Sequence, residues 1–314
     1  MENILITGAA GFIGLNMVEE LSKKGINIFA MVLESDALGI EKIKSISDRI
    51  KIITRSVEEM IDNVSEYPCF DTIFHFATVG VNPNHIDITA LCDTNIKMGC
   101  RLVDFSNINK TGLLVNIGSC FEYGSNEDVP LSESSICQPE SLYAISKNCS
   151  VNLTTAYAKH KEVKLITVRP FGVFGKYEGA NRLAPLVIRH GILKQPLSLS
   201  GGEQIRDFVD VKDVVNSMYE LANSNKYDLY SIYNICSNNP VCVRDFVIEI
   251  IEQLGFDKSL YKFGEIPYRE NESMCFIGDN TKLESITNYQ FPSNHKKGIS
   301  ILFDEICTEL KRGK

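Results

Sequence analysis

The chain has 314 residues, of which 44% are hydrophobic and 23% charged, and it carries a net charge of -8. That length allows one large or two small domains around a sizeable core, and the negative balance argues against a nucleic-acid surface. No apolar run approaches the roughly 20 residues needed to cross a bilayer, and the ten scattered cysteines form no Cys-x-x-Cys pair, which argues against a metal site and for reduced thiols in a cytoplasmic protein.

The opening segment has neither a basic region nor a cleavage site, so it is expected to enter a strand directly rather than serve as a leader. Ile4 to Ile6 reads as that strand, and Phe12 to Lys24 as the helix after it. Ile26 to Leu33, Ile50 to Thr54 and Thr72 to Ala77 read as the second, third and fourth strands. Asp87 to Ile108 contains a helix, Gly112 to Ile117 is a fifth strand, Leu142 to His160 a long helix and Val163 to Val168 a sixth strand. Such alternation predicts an α/β fold with a parallel, doubly wound sheet covered on both faces.

After Pro170 the rhythm breaks. Arg182 to His190, Asp210 to Ala222 and Val241 to Leu254 read as helices, Tyr230 to Ile235 as a strand, and the remainder as mixed. Residues 1–175 together with about 208–240 are expected to form the main domain, and about 176–207 with 241–314 a smaller α/β domain.

Two motifs carry chemistry. Gly8, Gly11 and Gly14 lie between the first strand and the first helix, spaced three and three rather than in the two-and-three pattern of the usual dinucleotide fingerprint. The physics is shared: Gly8 permits the turn, Gly11 lets backbone approach a pyrophosphate, Gly14 lets helix and strand pack closely, and helix N–H groups meet the phosphates. An acid at the end of the second strand usually binds the ribose hydroxyls of NAD. Here that position is Val32, which favours NADP(H), although Glu34 follows and NAD stays open.

The second motif is Tyr143 and Lys147, one helical turn apart on one face. A neighbouring ammonium is expected to pull the phenol below its ordinary pKa of about 10. Such a tyrosine can pass a proton to or from a carbinol or carbonyl oxygen, which the upstream Ser119 hydroxyl can also hold. Cys120 and His75 read as structural residues rather than as nucleophile and base.

With His75-Phe76-Ala77, Asn95 and Arg206-Asp207-Phe208, these motifs occur in an order that resembles the extended short-chain dehydrogenase/reductase family over nearly the whole chain. The resemblance falls among its nucleotide-sugar epimerases, dehydratases and reductases, and is greatest to sugar 4-ketoreductases of the CDP-abequose synthase kind. It implies a Rossmann sheet and a nicotinamide cofactor lined by Gly8, Gly11, Phe12, Ile13, Gly14, Phe76, Ala77, Thr78, Asn95, Tyr143, Lys147, Pro170 and Val173. It implies Ser119, Tyr143 and Lys147 as the catalytic set, and substrate contacts from Ser119, Cys120, Phe121, Arg182, Arg206 and Arg269. The arginines would clamp the diphosphate of a nucleotide-sugar substrate, because a planar guanidinium pairs two phosphate oxygens at once. Dimerisation through the helix of Tyr143 and the helix before it also follows from the resemblance.

Departures from the family narrow the reaction. Sugar 4,6-dehydratases carry Asp-Glu directly after the catalytic serine or threonine, where this chain has Cys120 and Phe121, so dehydration is disfavoured. C3/C5 epimerisation is disfavoured because Phe121 occupies the expected cysteine position and Arg182 aligns with the expected histidine. Two reactions remain that need only Ser119, Tyr143 and Lys147: reduction of a 4-keto sugar nucleotide, which the resemblance and Val32 favour, and 4-epimerisation. A catalytically silent nucleotide-binding protein is the third reading, against which both Tyr143 and Lys147 are retained.

Overall fold

The computed structural model describes residues 1–81, 87–125, 130–268 and 272–312. Seven parallel strands form the central sheet. They are β1 (Asn3–Thr7), β2 (Asn27–Met31), β3 (Lys51–Ile53), β4 (Thr72–His75), β5 (Leu113–Ile117), β6 (Leu165–Pro170) and, from much later in the chain, β11 (Ile232–Ile235). Their spatial order is β11-β6-β5-β4-β1-β2-β3. The chain steps from β1 outward to β3, then returns to β4 on the other side, which opens a crevice at the carboxyl ends of β1 and β4.

The strands are apolar on both faces because helices cover both. Ile4 and Ile6 point into one buried layer, and Leu5 into the other. The first layer packs beneath α1 (Phe12–Ser22), α2 (Ala37–Ile46) and α8 (Val211–Ser224). The second packs beneath α3 (Val57–Asp62), α5 (Met98–Asn109) and α6 (Leu142–His160). A short α4 (Ile88–Ala90) runs through a π-helical stretch, Leu91–Lys97, into α5. α6 begins where the Ser141 side chain accepts from Ala144 N–H, and ends with Lys159 and His160 in its last turn, where cations suit the helix dipole.

Smaller sheets stand apart from the central one. β7 (Gly172–Phe174) pairs with β10 (Phe208–Asp210), β8 (Leu197–Leu199) with β13 (Tyr261–Phe263), and β9 (Ile205–Arg206) with both β12 (Val241–Cys242) and β14 (Cys275–Phe276). α7 (Leu183–Leu193), α9 (Val243–Leu254) and α11 (Lys296–Arg312) close a separate core of Phe174, Val187, Ile188, Phe246, Ile250 and Leu302. α10 (Thr281–Thr287) packs on α8. No helix among the described residues is long and apolar enough to cross a membrane.

The strand–helix reading of the first half matches these elements, and Leu142 to His160 matches end for end. The short, weakly patterned α2 and α3 went unread, as did α10 and α11 in the stretch read as mixed. Val241 and Cys242, read as the start of a helix, instead form the short strand before it.

Candidate active site

The glycine segment turns from β1 into α1 at the crevice. Gly8 has φ +64, and a Cβ there would lie 2.6 Å from the Ala77 backbone nitrogen. A Cβ on Gly14 would collide with the Gly8 carbonyl. Both glycines are therefore fixed by packing, Gly8 against the residue after β4 and Gly14 against the turn itself. Gly11 differs: it is exposed, and its missing Cβ would meet only the Gly8 oxygen, at 3.2 Å. It caps α1 with no side-chain hydrogen bond, and no acid stands in the first turn beside Phe12 and Ile13. The amide donors at this helix end are thus free of side-chain acceptors, an arrangement that fits an anionic cofactor phosphate.

Val32, at the place where an acid would meet a ribose, is buried at 7% exposure. Glu34 is exposed, and Asp36 caps α2 by accepting from Gly39 N–H at 2.9 Å. Across the crevice, the Thr7 hydroxyl and His75 Nδ1 are hydrogen-bonded at 2.7 Å. His75 is buried, and burial together with the Lys147 charge holds its pKa down to about 3. It is a neutral core histidine at physiological pH, as its apolar strand implied.

Asn95 lies in the π-helical turn, and its amide is fully committed. Its oxygen accepts from the Thr78 hydroxyl at 3.0 Å and from Val79 N–H at 2.9 Å, and its nitrogen donates to the Val79 carbonyl at 3.1 Å and the Ser146 hydroxyl at 2.9 Å. These four bonds use its whole capacity. Asn95 therefore pins the segment after β4, which is expected to line the cofactor, to α6, and so positions Thr78 beside Tyr143.

The structure brings Ser119 to Tyr143, and Lys147 is buried one turn further along α6. Ser119 ends β5 and caps a 3-10 turn, Cys120–Tyr123, its hydroxyl accepting from Phe121 N–H at 3.3 Å. The Ser119 and Thr78 hydroxyls face the Tyr143 phenol. The electrostatics differ from expectation. Burial pushes Tyr143 up to about 12, against the pull of Ser119 and Thr78, and Cys120 and Glu122 add to the rise. Burial likewise drives Lys147 down to about 8, with Glu122 acting in the opposite sense. Desolvation thus outweighs any acidifying effect of the ammonium, and Tyr143 keeps its proton at neutral pH. The expected acidic phenol is corrected on this point.

Beneath Ser119 lies an ion pair that sequence reasoning missed. Glu122 accepts from Ser119 N–H at 2.7 Å with one oxygen, and from Arg169 Nε at 3.1 Å and Nη2 at 2.7 Å with the other. Their side chains are 0% and 3% exposed. The readable signal was Ser119-x-x-Glu122, a capping box.

Of the remaining expected contacts, Cys120, Phe121 and Arg206 meet at Phe276. Cys120 is buried against Tyr123, Leu131, Phe171, Cys236 and Phe276, and burial lifts its thiol to about 12, which argues against a nucleophile. Phe121 is 44% exposed beside Ser119, its ring edge-on to Phe276 at 5.5 Å. Arg206 stacks over Phe276, and its Nη2 donates to Glu272 at 2.8 Å and to the Ser273 carbonyl at 2.6 Å. Its neighbour Asp207 is buried and accepts instead from Ser237 and Asn238, so the two adjacent charges do not form a surface pair. Arg182 caps α7, largely exposed, 3.9 Å from Glu178. Arg269 lies outside the described residues. Phe76 is buried after β4, Pro170 ends β6, and Val173 lies in β7. A cavity of about 360 Å³ bounded by Asp210, Lys212, Tyr289 and His295 contains none of these residues. Convergent chemistry rather than cavity size marks the site.

Comparison with known proteins bears on this geometry. The chain is 25% identical over 311 residues to CDP-abequose synthase of Salmonella typhimurium, covering 97% of this chain and 98% of that one. It is 26% identical over 303 residues to GDP-6-deoxy-D-talose 4-dehydrogenase of Aggregatibacter actinomycetemcomitans, covering 92% and 93%. Its fold is similar to that of dTDP-glucose 4,6-dehydratase from Bacillus anthracis, solved in complex with NAD, with a TM-score of 0.86, 22% identity and coverage of 99% and 98%. The model of one family matches residues 4–236, a span that includes the glycine turn, Ser119, Tyr143 and Lys147, and the chain therefore belongs to the NAD dependent epimerase/dehydratase family.

Proposed function

We propose that this protein catalyses NADPH-dependent reduction of the C4 keto group of a nucleotide-diphosphate 4-keto-6-deoxyhexose. The observation that carries the reading is the buried Tyr143 phenol facing the Ser119 and Thr78 hydroxyls. Reduction needs an acid at the carbonyl oxygen, and a phenol held above its ordinary pKa is an acid that has not lost its proton at pH 7. A dihydronicotinamide held there would supply the hydride for C4. Tyr143 gives its proton to the oxygen at C4 and is reprotonated from solvent. Ser119 already accepts from Phe121 N–H, so its single hydroxyl proton is available to the same oxygen. The family membership and the two sugar-nucleotide relatives support the substrate class. The exposed Phe121 ring beside Ser119 offers an apolar surface suited to a deoxygenated C6.

Gly8, Gly11, Phe12, Ile13 and Gly14 would hold the cofactor pyrophosphate, Phe76, Ala77 and Thr78 would line it, Tyr143 and Lys147 would meet the nicotinamide ribose, and Pro170 and Val173 would lie by the ring. Buried Val32 supports NADP(H), since no carboxylate stands there to repel a 2′-phosphate. Exposed Glu34 keeps NAD as the second reading. We assign 1–175 with about 208–240 to the cofactor, and about 176–207 with 241–314 to the nucleotide sugar, where Arg182, Arg206 and Arg269 would meet the diphosphate. A homodimer through α6 is supported by exposed Leu142, Ile145, Cys149 and Leu153 along that helix.

The test supplies NADPH with CDP-, dTDP-, GDP- and UDP-linked 4-keto-6-deoxyhexoses and follows cofactor absorbance. Loss of absorbance with one of them is the expected result. Interconversion of UDP-hexoses without added cofactor, and no NADPH oxidation, would make the protein a 4-epimerase. Cofactor binding with neither reaction would make it a silent nucleotide-binding protein.

A further inference from the structure

The buried Glu122–Arg169 pair spans the two strand ends that bound the reacting side of the crevice. Glu122 belongs to the turn after β5, and Arg169 stands one residue before the end of β6 at Pro170. One Glu122 oxygen takes the Ser119 N–H, and the other takes two donors of the Arg169 fork. Ser119 returns a bond to Phe121 N–H, so backbone and side chain of the serine are both fixed within one turn. The guanidinium is seated in turn on the Tyr123 ring at 4.6 Å, and the Tyr123 hydroxyl donates to Asn234 of β11 at 2.8 Å. A Cβ on Gly118 would collide with the Glu122 carboxylate, so the backbone beneath the serine is shaped to admit this group.

A buried ion pair is poor evidence for stability, because desolvation cancels most of its attraction and an apolar pair of similar volume packs as well. The carboxylate here does something an apolar residue cannot do: it accepts the Ser119 N–H, which is otherwise a buried donor without a partner. We infer that Glu122, locked by Arg169, is a positioning residue that holds the Ser119 hydroxyl toward the oxygen that Tyr143 protonates. The inference rests on the proposed role of Ser119 as a donor to that oxygen.

Two charge-balanced double variants separate this role from simple filling of the core. Glu122→Gln with Arg169→Gln keeps an acceptor for Ser119 N–H, and Glu122→Leu with Arg169→Met removes it while replacing the pair by apolar groups. The first is expected to keep kcat within fivefold of the parent. The second is expected to lose at least thirtyfold in kcat, with KM for the keto sugar and Kd for NADPH within threefold. On a Ser119→Ala background the two should be equal, because the effect runs through that hydroxyl. Equal kcat for the two double variants with Ser119 present, or losses that multiply with Ser119→Ala, would overturn the proposal.

Amide hydrogen exchange at Ser119 tests the same claim without turnover. Protection should persist in the glutamine pair and fall at least tenfold in the apolar pair; equal protection sinks the positioning role. Should the parent protein fail to oxidise NADPH with any keto sugar while the Ser119 exchange follows this pattern, it is the ketoreductase reading that falls.

Discussion

The two sides of the crevice are built on opposite principles. At the β1 side, side chains are withheld: Gly8 and Gly14 have no room for a Cβ, and Gly11 leaves a helix end bare. At the β5–β6 side, side chains are interlocked: Ser119, Glu122, Arg169 and Tyr123 form a continuous buried chain, and Asn95 ties Thr78 to α6. The first side offers backbone donors to a ligand that brings its own charge. In the proposed reaction the second would aim one serine and one tyrosine proton at a neutral carbonyl, which requires rigidity rather than vacancy. Emptiness tolerates no added atom, and interlocking tolerates no lost one.

Substitutions on each side sharpen that contrast. Tyr143→Phe removes the proton donor and is expected to lower kcat by roughly 10³-fold with NADPH binding intact, measured by absorbance and by fluorescence titration. Turnover near the parent rate would remove Tyr143 from the mechanism.

The interlocked side also predicts a pH effect on stability. His75 is held down to about 3 by burial, against about 6.5 when unfolded, so the unfolded chain binds a proton between those values that the folded chain refuses. Stability is therefore fully present above about pH 6.5 and falls as pH drops toward 3. Between pH 7 and 4.5 the parent should lose about 2–3 kcal/mol more than His75→Gln in urea unfolding. Parallel losses in the two proteins would show that His75 is not the group responsible.

On the empty side, Gly8→Ala forces a left-handed conformation that costs an alanine about 1–2 kcal/mol, on top of the approach to Ala77. It should weaken NADPH binding at least tenfold and lower the melting temperature by several degrees, while Ser119 exchange stays unchanged. A coupled change at Ser119 would mean that the two sides are one unit. The smallest effect concerns cofactor choice: kcat/KM for NADPH should exceed that for NADH by about tenfold, and a preference for NADH would point to Glu34 at the ribose.

Legibility in the sequence follows the same division. The glycine spacing and the β-strand runs were readable because each is local: three absent side chains, or four to six consecutive apolar ones. Tyr143 and Lys147 were readable because one helical turn fixes their relation. The sign of the phenol shift was not readable, since it depends on how deeply segments distant in the chain bury the ring. How the Asn95 amide is spent was not readable for a related reason: a π-helical turn and partners at Thr78, Val79 and Ser146 decide it. Arg169 carried no signal, as a charged residue inside a buried strand reads as an interruption until Glu122 is placed against it.

β11 has a consequence for how the molecule comes into being. It is an edge strand and the last of the seven sheet strands to leave the ribosome, yet its Asn234 side chain accepts from the Tyr123 hydroxyl and its backbone N–H donates to Glu133. A nascent chain that stops short of it exposes the open edge of β6, a template for pairing with other unfinished chains. The sheet is thus completed late in synthesis, and products truncated before β11 are expected to be prone to aggregate.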